Sequence, residues 1–208
     1  MNKYILLGAA PFAFAATAAH AEPFSGGYVG AEFGHDNYEA KASNIDFGGA
    51  TFSGDGISGN GIAGGIYAGY DVPLGGAFAG IEASLGYSDA HAALAYDDGT
   101  DAFSAEIRAR ESYGIAGRLG GKLNAGTGIY AKVGWTRTNF KAKLSDGTST
   151  VSDSDHDDAV VYGAGVETMI SERTSLRVEY TIADYGDLSL DGASLKNSNV
   201  RAGLSFRF

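Results

Sequence analysis

No cysteine occurs anywhere in this chain. A disulfide framework is therefore excluded, and a protein of this size working outside the cytoplasm must hold together without one. Proline is scarce, at 3 residues, while glycine reaches 32 and aromatic residues 12 %. No G-x-y period accompanies the glycine, and tyrosine and phenylalanine are spread throughout, which excludes both a collagen and a flexible linker. Positive charge is also short. The net charge is −10, and −11 once Lys3 is discounted with the leader described below, so a nucleic-acid partner is not expected. Beyond residue 21 no segment has the length and apolarity of a membrane-spanning helix.

The first 21 residues, MNKYILLGAAPFAFAATAAHA, have the layout of a secretory signal peptide. Lys3 supplies the charged start, an apolar run follows, and Ala19-His20-Ala21 gives the small residues a cleavage site needs. Pro11 interrupts the run and His20 closes it, which argues against a membrane anchor. The expected organisation is a signal peptide over 1–21 and one domain over 22–208.

Along that domain, apolar and polar residues alternate with a period of two in eight stretches. Val29, Ala31 and Phe33 oppose Tyr28, Gly30, Glu32 and Gly34. Ile107, Ala109, Tyr113, Ile115 and Leu119 oppose Arg108, Arg110, Ser112, Gly114 and Arg118. The final stretch, NVRAGLSFRF, keeps the alternation to the last residue. A helical reading fails, because glycine every few positions costs about 1 kcal/mol each relative to alanine. Short turns at Pro73–Gly76, Asn124–Gly128 and Ser171–Thr174 alternate with long polar connections at Lys41–Ser58, Ser88–Phe103, Leu144–Asp158 and Gly186–Ser194. This asymmetry predicts an all-β, eight-stranded, antiparallel up-and-down transmembrane β-barrel, with acidic loops at one end.

A soluble eight-stranded barrel would turn its apolar face inward around a ligand. Three features place that face outward instead. The polar face is mostly glycine, alanine and serine, suiting the narrow interior of eight strands. Aromatic residues of the apolar face fall into two groups, Tyr70, Phe206 and Phe208 near the short turns and Tyr87, Tyr113, Trp135, Tyr162 and Tyr180 farther up, as at two membrane boundaries. Charges of opposite sign recur at similar heights: Glu82 with Arg118, Lys132 with Glu167, Glu167 with Arg177, and Glu179 with Arg201, with Glu32 across the closing seam. Glu32, Glu82, Arg118, Lys132, Glu167, Arg177, Glu179 and Arg201 are therefore the expected lumenal charge network.

The opening GYVGAEFG, the eight stretches and the closing VRAGLSFRF resemble the small outer-membrane barrels of the opacity and outer membrane protein A type. The resemblance implies residence in the cell outer membrane among its lipid and lipopolysaccharide. It also implies that Leu204, Phe206 and Phe208 form a signal to the outer-membrane assembly machinery. Larger members anchor to peptidoglycan through a further domain, and that role is not carried over.

No catalytic constellation is apparent. His35, His91 and His156 lack a His-x-Ser arrangement, so no enzyme is expected. DSDHDD, residues 153–158, fails the calcium-loop pattern, with Asp158 and Ala164 where glycine and glutamate belong. Neither a metal nor another cofactor is expected. The expected role is structural or surface-interactive, in envelope integrity or adhesion, with host or cell-surface ligands met through the loops. A narrow, gated, porin-like passage is the alternative.

Overall fold

The computed structural model describes residues 23–46, 51–97, 102–145, 150–187 and 193–208; residues 1–21, expected to form a signal peptide, lie outside them. Every regular element among these residues is a strand. They are β1 (Gly26–Asp46), β2 (Thr51–Leu74), β3 (Ala77–Ser88), β4 (His91–Asp97), β5 (Ala102–Lys122), β6 (Thr127–Ser145), β7 (Thr150–Met169), β8 (Thr174–Asp187) and β9 (Ala193–Arg207). β3 and β4 are two segments of one stave, both paired to β2 on one side and β5 on the other. The cylinder therefore has eight staves, all antiparallel, and β1 closes it by pairing with both β2 and β9.

Closure accounts for the alternation in the last residues. Tyr28 lies opposite Arg207, and the Phe208 N–H donates to the Gly27 carbonyl at 3.0 Å. At the same end the short turns are built as their composition requires. Gly75 takes a φ of +72° between β2 and β3, and the Asn124 carboxamide oxygen accepts from the Gly126 and Thr127 N–H groups between β5 and β6.

The apolar face points outward. Phe33, Ile81, Leu119 and Val133 are each more than 60 % exposed, whereas Arg177, Arg207, Glu167 and Asp71 are buried. Such an arrangement is stable only where the surroundings of the sheet are themselves apolar. Tyr113 and Trp135 meet edge to face, at 5.9 Å, at the upper edge of this belt.

Glycine on the inner face has a specific use. Tyr67 lies opposite Gly30, Tyr28 opposite Gly69, Tyr130 opposite Gly165 and Phe78 opposite Gly120. A Cβ at any of these four glycines would overlap the facing ring. Each large inward ring thus lies flat over the bare backbone of its neighbour, which is how four aromatic side chains fit in so narrow a bore.

Two expectations need correction. The connections read as long loops are in large part strand. β2 has 24 residues, which at about 3.3 Å each and a tilt near 45° rise roughly 55 Å, about twice a ~25 Å apolar belt. The outward alternation on β6 ends at Trp135, and polar Arg137, Asn139, Lys141 and Lys143 continue the same face up to the strand end at Ser145. Above the lipid nothing selects apolar residues, so the pattern fades while the ladder continues. Residues 153–158 accordingly belong to β7. The second correction concerns β5. A bulge between Ala109 and Ser112 inverts the facing above it. Ala109 pairs with Phe140, whose ring meets those of Tyr38 and Tyr185, so Ile107 and Ala109 share the inner face rather than continuing the outward row of Tyr113 and Ile115.

Candidate functional site

The bore is filled by ionised side chains in two tiers. The lower tier, near the short turns, is a closed ring of four charges contributed by β2, β5, β7 and β9. Asp71 receives Arg118 through Nε at 2.8 Å and again through Nη2, and receives Arg207 Nη1 at 2.8 Å. Glu167 receives Arg118 Nη1 at 3.0 Å and Arg207 Nη2 at 2.7 Å, and accepts the Ser175 hydroxyl at 2.6 Å. Rings seal its edges. Phe24 and Phe78 stack with centroids 4.7 Å apart, and the Arg118 guanidinium lies 4.7 Å from the Tyr28 centroid and 5.0 Å from that of Tyr130. Phe24 precedes β1 and enters the floor through a φ of +62°, a left-handed conformation uncommon outside glycine.

The upper tier is a chain of alternating sign: Glu179, Lys132, Glu82, Arg177, Glu32, Arg201, Asp36. Lys132 Nζ bridges Glu179 at 2.9 Å and Glu82 at 2.7 Å. Arg177 joins Glu82 at 2.5 Å to Glu32 at 2.6 Å, and Arg201 joins Glu32 at 2.8 Å to Asp36 at 3.1 Å. Tyr28 and Tyr130 donate to Glu82 and Glu179 at 2.9 and 2.8 Å. The Arg177 guanidinium lies 3.5 Å above the Tyr67 ring. Here the protein itself supplies the partners that water would otherwise give.

All eight ionisable residues expected in the lumen lie in these two tiers. The pairing among them is largely different. Only Glu32–Arg201 meets as expected. Glu82 takes Lys132 and Arg177 in place of Arg118, and Lys132 takes Glu179 in place of Glu167. Staggered staves explain both, since Arg118 lies opposite Gly80, one layer from Glu82, and Lys132 opposite Gly163, two layers from Glu167. Glu167 and Arg177 are ladder neighbours, as are Glu179 and Arg201, yet Arg177 reaches across the bore to Glu82, and Arg201 turns to its other neighbour β1, where Glu32 and Asp36 flank Gly34 opposite it. Asp71, Asp36 and Arg207 were not among the expected network. Their signal was available in the alternation itself, which puts all three on the polar face.

Above the upper tier lies a polar chamber of about 80 Å³, lined by Ser84, Thr136, Asn197 and Asn199 among others. That is room for several waters. The histidines are not gathered: His35 lies opposite Val200 on the outer face, His156 opposite Asn139, and His91 on β4 opposite Arg108. No grouping of potential metal ligands occurs among the described residues. Outside the bore, Arg137 and Asp158 pair at 2.6 Å on the outer face, and this hydrogen-bonded guanidinium holds the Asp158 carboxyl below the usual range.

Eight antiparallel staves closed on themselves, apolar without and ionised within, define an integral membrane β-barrel. The chain belongs to the outer membrane protein beta-barrel domain family, whose model matches residues 5–208, and its location is the outer membrane. Among solved structures it is similar to the N-terminal β-barrel domain of Pseudomonas aeruginosa OprF (14 % identity, 88 % of this chain and 98 % of that one covered, TM-score 0.50). It is also similar to OprG of the same organism (13 %, 89 % and 97 %, 0.49) and to Ail, the attachment invasion locus protein of Yersinia pestis (16 %, 87 % and 99 %, 0.47). Among curated proteins no sequence matches it.

Proposed function

We propose that the barrel is a plugged, non-catalytic anchor whose role, in envelope integrity or adhesion, is carried by the hairpins raised beyond the lipid. The ring of Asp71, Arg118, Glu167 and Arg207 is the observation that supports this reading. Its side chains are at most 1 % exposed, and the stacked Phe24 and Phe78 adjoin it, so the bore is blocked near the short-turn end. The longest stave, β2, by contrast extends about as far above the apolar belt as within it. Cutting the β1–β2 and β6–β7 hairpins back to tight turns above the aromatic girdle tests the proposal. Folded barrel should persist in the membrane while adherence to surfaces or resistance to detergent falls. Retention of both properties refutes it.

A narrow, gated passage is the second reading, favoured by the polar chamber above the upper tier. Planar-bilayer recording separates the two. The plugged reading expects no steady conductance, and sustained nanosiemens openings support the passage. Within the membrane, we assign Leu204, Phe206 and Phe208 the part of an assembly signal, the outer-leaflet lipopolysaccharide being the lipid neighbour of the outward face.

A further inference from the structure

Above the bulge in β5 the inner face stops being polar. Ile107, Ala109, Phe140, Ala142, Leu195 and Tyr38 line a cavity of about 310 Å³ at the mouth of the barrel. One wall is different. Asp157, Asp155 and Asp153 lie opposite Thr138, Phe140 and Ala142, and so present three carboxylates to the same cavity from alternate positions of β7. No lysine or arginine lines it among the described residues. Asp158, between the row and the belt, faces the other way toward Arg137. Burial first, and then the charges of Asp155 and Asp158, push the Asp157 carboxyl above its ordinary range.

The shape and lining select the occupant. The volume falls at the small end of ligand cavities, and an apolar lining with a few polar groups on one side is their usual character. A bare metal ion does not suit it. Alternate residues of a strand lie about 7 Å apart, whereas a calcium ion needs its oxygens at about 2.4 Å. An apolar anion would meet three like charges. Aromatic faces at Tyr38 and Phe140 and uncompensated carboxylates together suit a positive group on a greasy body. We infer that the mouth is a binding cup for a small amphipathic organic cation, its apolar part against Phe140, Tyr38 and Ile107 and its charge toward Asp155 and Asp157.

The full barrel in phosphatidylcholine nanodiscs tests this, with the fluorescent cation 4-(4-dimethylaminostyryl)-1-methylpyridinium as probe and empty nanodiscs as baseline. Saturable binding is expected, weakened at least tenfold by Asp153→Asn/Asp155→Asn/Asp157→Asn together and, separately, by Ile107→Ser. Asp158→Asn, on the opposite face of the same strand, should bind as the parent does. Heat-modifiable gel mobility establishes that each variant is folded. The inference fails if the triple variant binds the dye as tightly as the parent, or if the anion 8-anilinonaphthalenesulfonate displaces it equally well. Closure of the bore is a separate matter: a conducting barrel that binds the dye keeps the cup, and a plugged one that ignores it does not.

Discussion

Arg177→Met is the most direct test of the lumenal network. The side chain is 1 % exposed and joins Glu82 at 2.5 Å to Glu32 at 2.6 Å while lying flat over Tyr67. Methionine matches much of its volume and removes its charge. The upper tier then holds four carboxylates against two cations in place of three. Lys132 and Tyr28 still serve Glu82, and Arg201 still serves Glu32, so neither carboxylate is fully stranded. Breaking a buried pair on one side costs about 3–5 kcal/mol, and the remaining partners hold the expected loss toward the lower end of that range. A loss of about 3 kcal/mol lowers the folded-to-unfolded ratio roughly a hundredfold or more.

Urea titration in lipid vesicles measures this, followed by gel mobility and by the fluorescence of Trp135, the single tryptophan, which lies on the outer face at the girdle. The decisive variant is the double one, Glu82→Gln/Arg177→Met. Removing both members of a buried pair costs far less than stranding one, so the double variant should recover at least half of the single loss. Arg137→Met, whose partner Asp158 is solvent-exposed, should not shift the midpoint measurably. An Arg177→Met barrel within about 1 kcal/mol of the parent, or a double variant no more stable than the single, refutes the network as a structural element.

Other outcomes follow from the same geometry. Gly30→Ala places a Cβ inside the Tyr67 ring and should cost about 1–3 kcal/mol, whereas Gly121→Ala, with nothing near its Cβ, should be silent in the same titration. Val178→Arg puts a charge on the outward face, where Val178 is 52 % exposed, and should cost about 2–4 kcal/mol if that position lies near the bilayer midplane. Phe208→Ser should lower the amount of folded barrel in the outer membrane of living cells, read from fractionation and gel mobility, and unchanged levels would remove the assembly-signal assignment. Asp157 holds its proton more tightly when folded than when unfolded, so its contribution turns unfavourable as pH rises through the folded pKa. Asp157→Asn should therefore raise the urea midpoint at neutral pH and leave it unchanged in acid strong enough to protonate both forms.

The membrane half of this barrel was legible because lipid imposes a rule on every second residue. Val29, Ile81, Val133 and Leu204 obey it, and the facing of the lumenal charges follows from them without further information. Above the girdle the rule lapses. Arg137, Asn139 and Lys141 continue β6 with nothing in their composition to separate strand from loop, and only the ladder to β7 reveals them as strand. The bulge at Ala109–Ser112 was hidden for a related reason: an extra residue leaves the local composition unchanged and inverts everything above it.

The partners of the charges were illegible for a different cause. Alternation fixes which face a residue occupies but not its height on a tilted stave, and a stagger of one layer is enough to exchange Arg118 for Lys132 as the neighbour of Glu82. In a sheet open to water the error would matter little, because an exposed carboxylate is satisfied by solvent wherever it lies. Inside eight staves each carboxylate needs a cation within reach, and Arg118, Lys132, Arg177 and Arg207 supply it by reaching beyond the adjacent stave, while Arg201 serves Glu32 and Asp36 on neighbouring β1. The same reach makes the lower tier a ring. Asp71 and Glu167 come from β2 and β7, far apart in the sheet, and are brought together only by Arg118 and Arg207 extending from staves between them. Sequence identifies such residues by sign and face, and closure of the cylinder decides which of them meet.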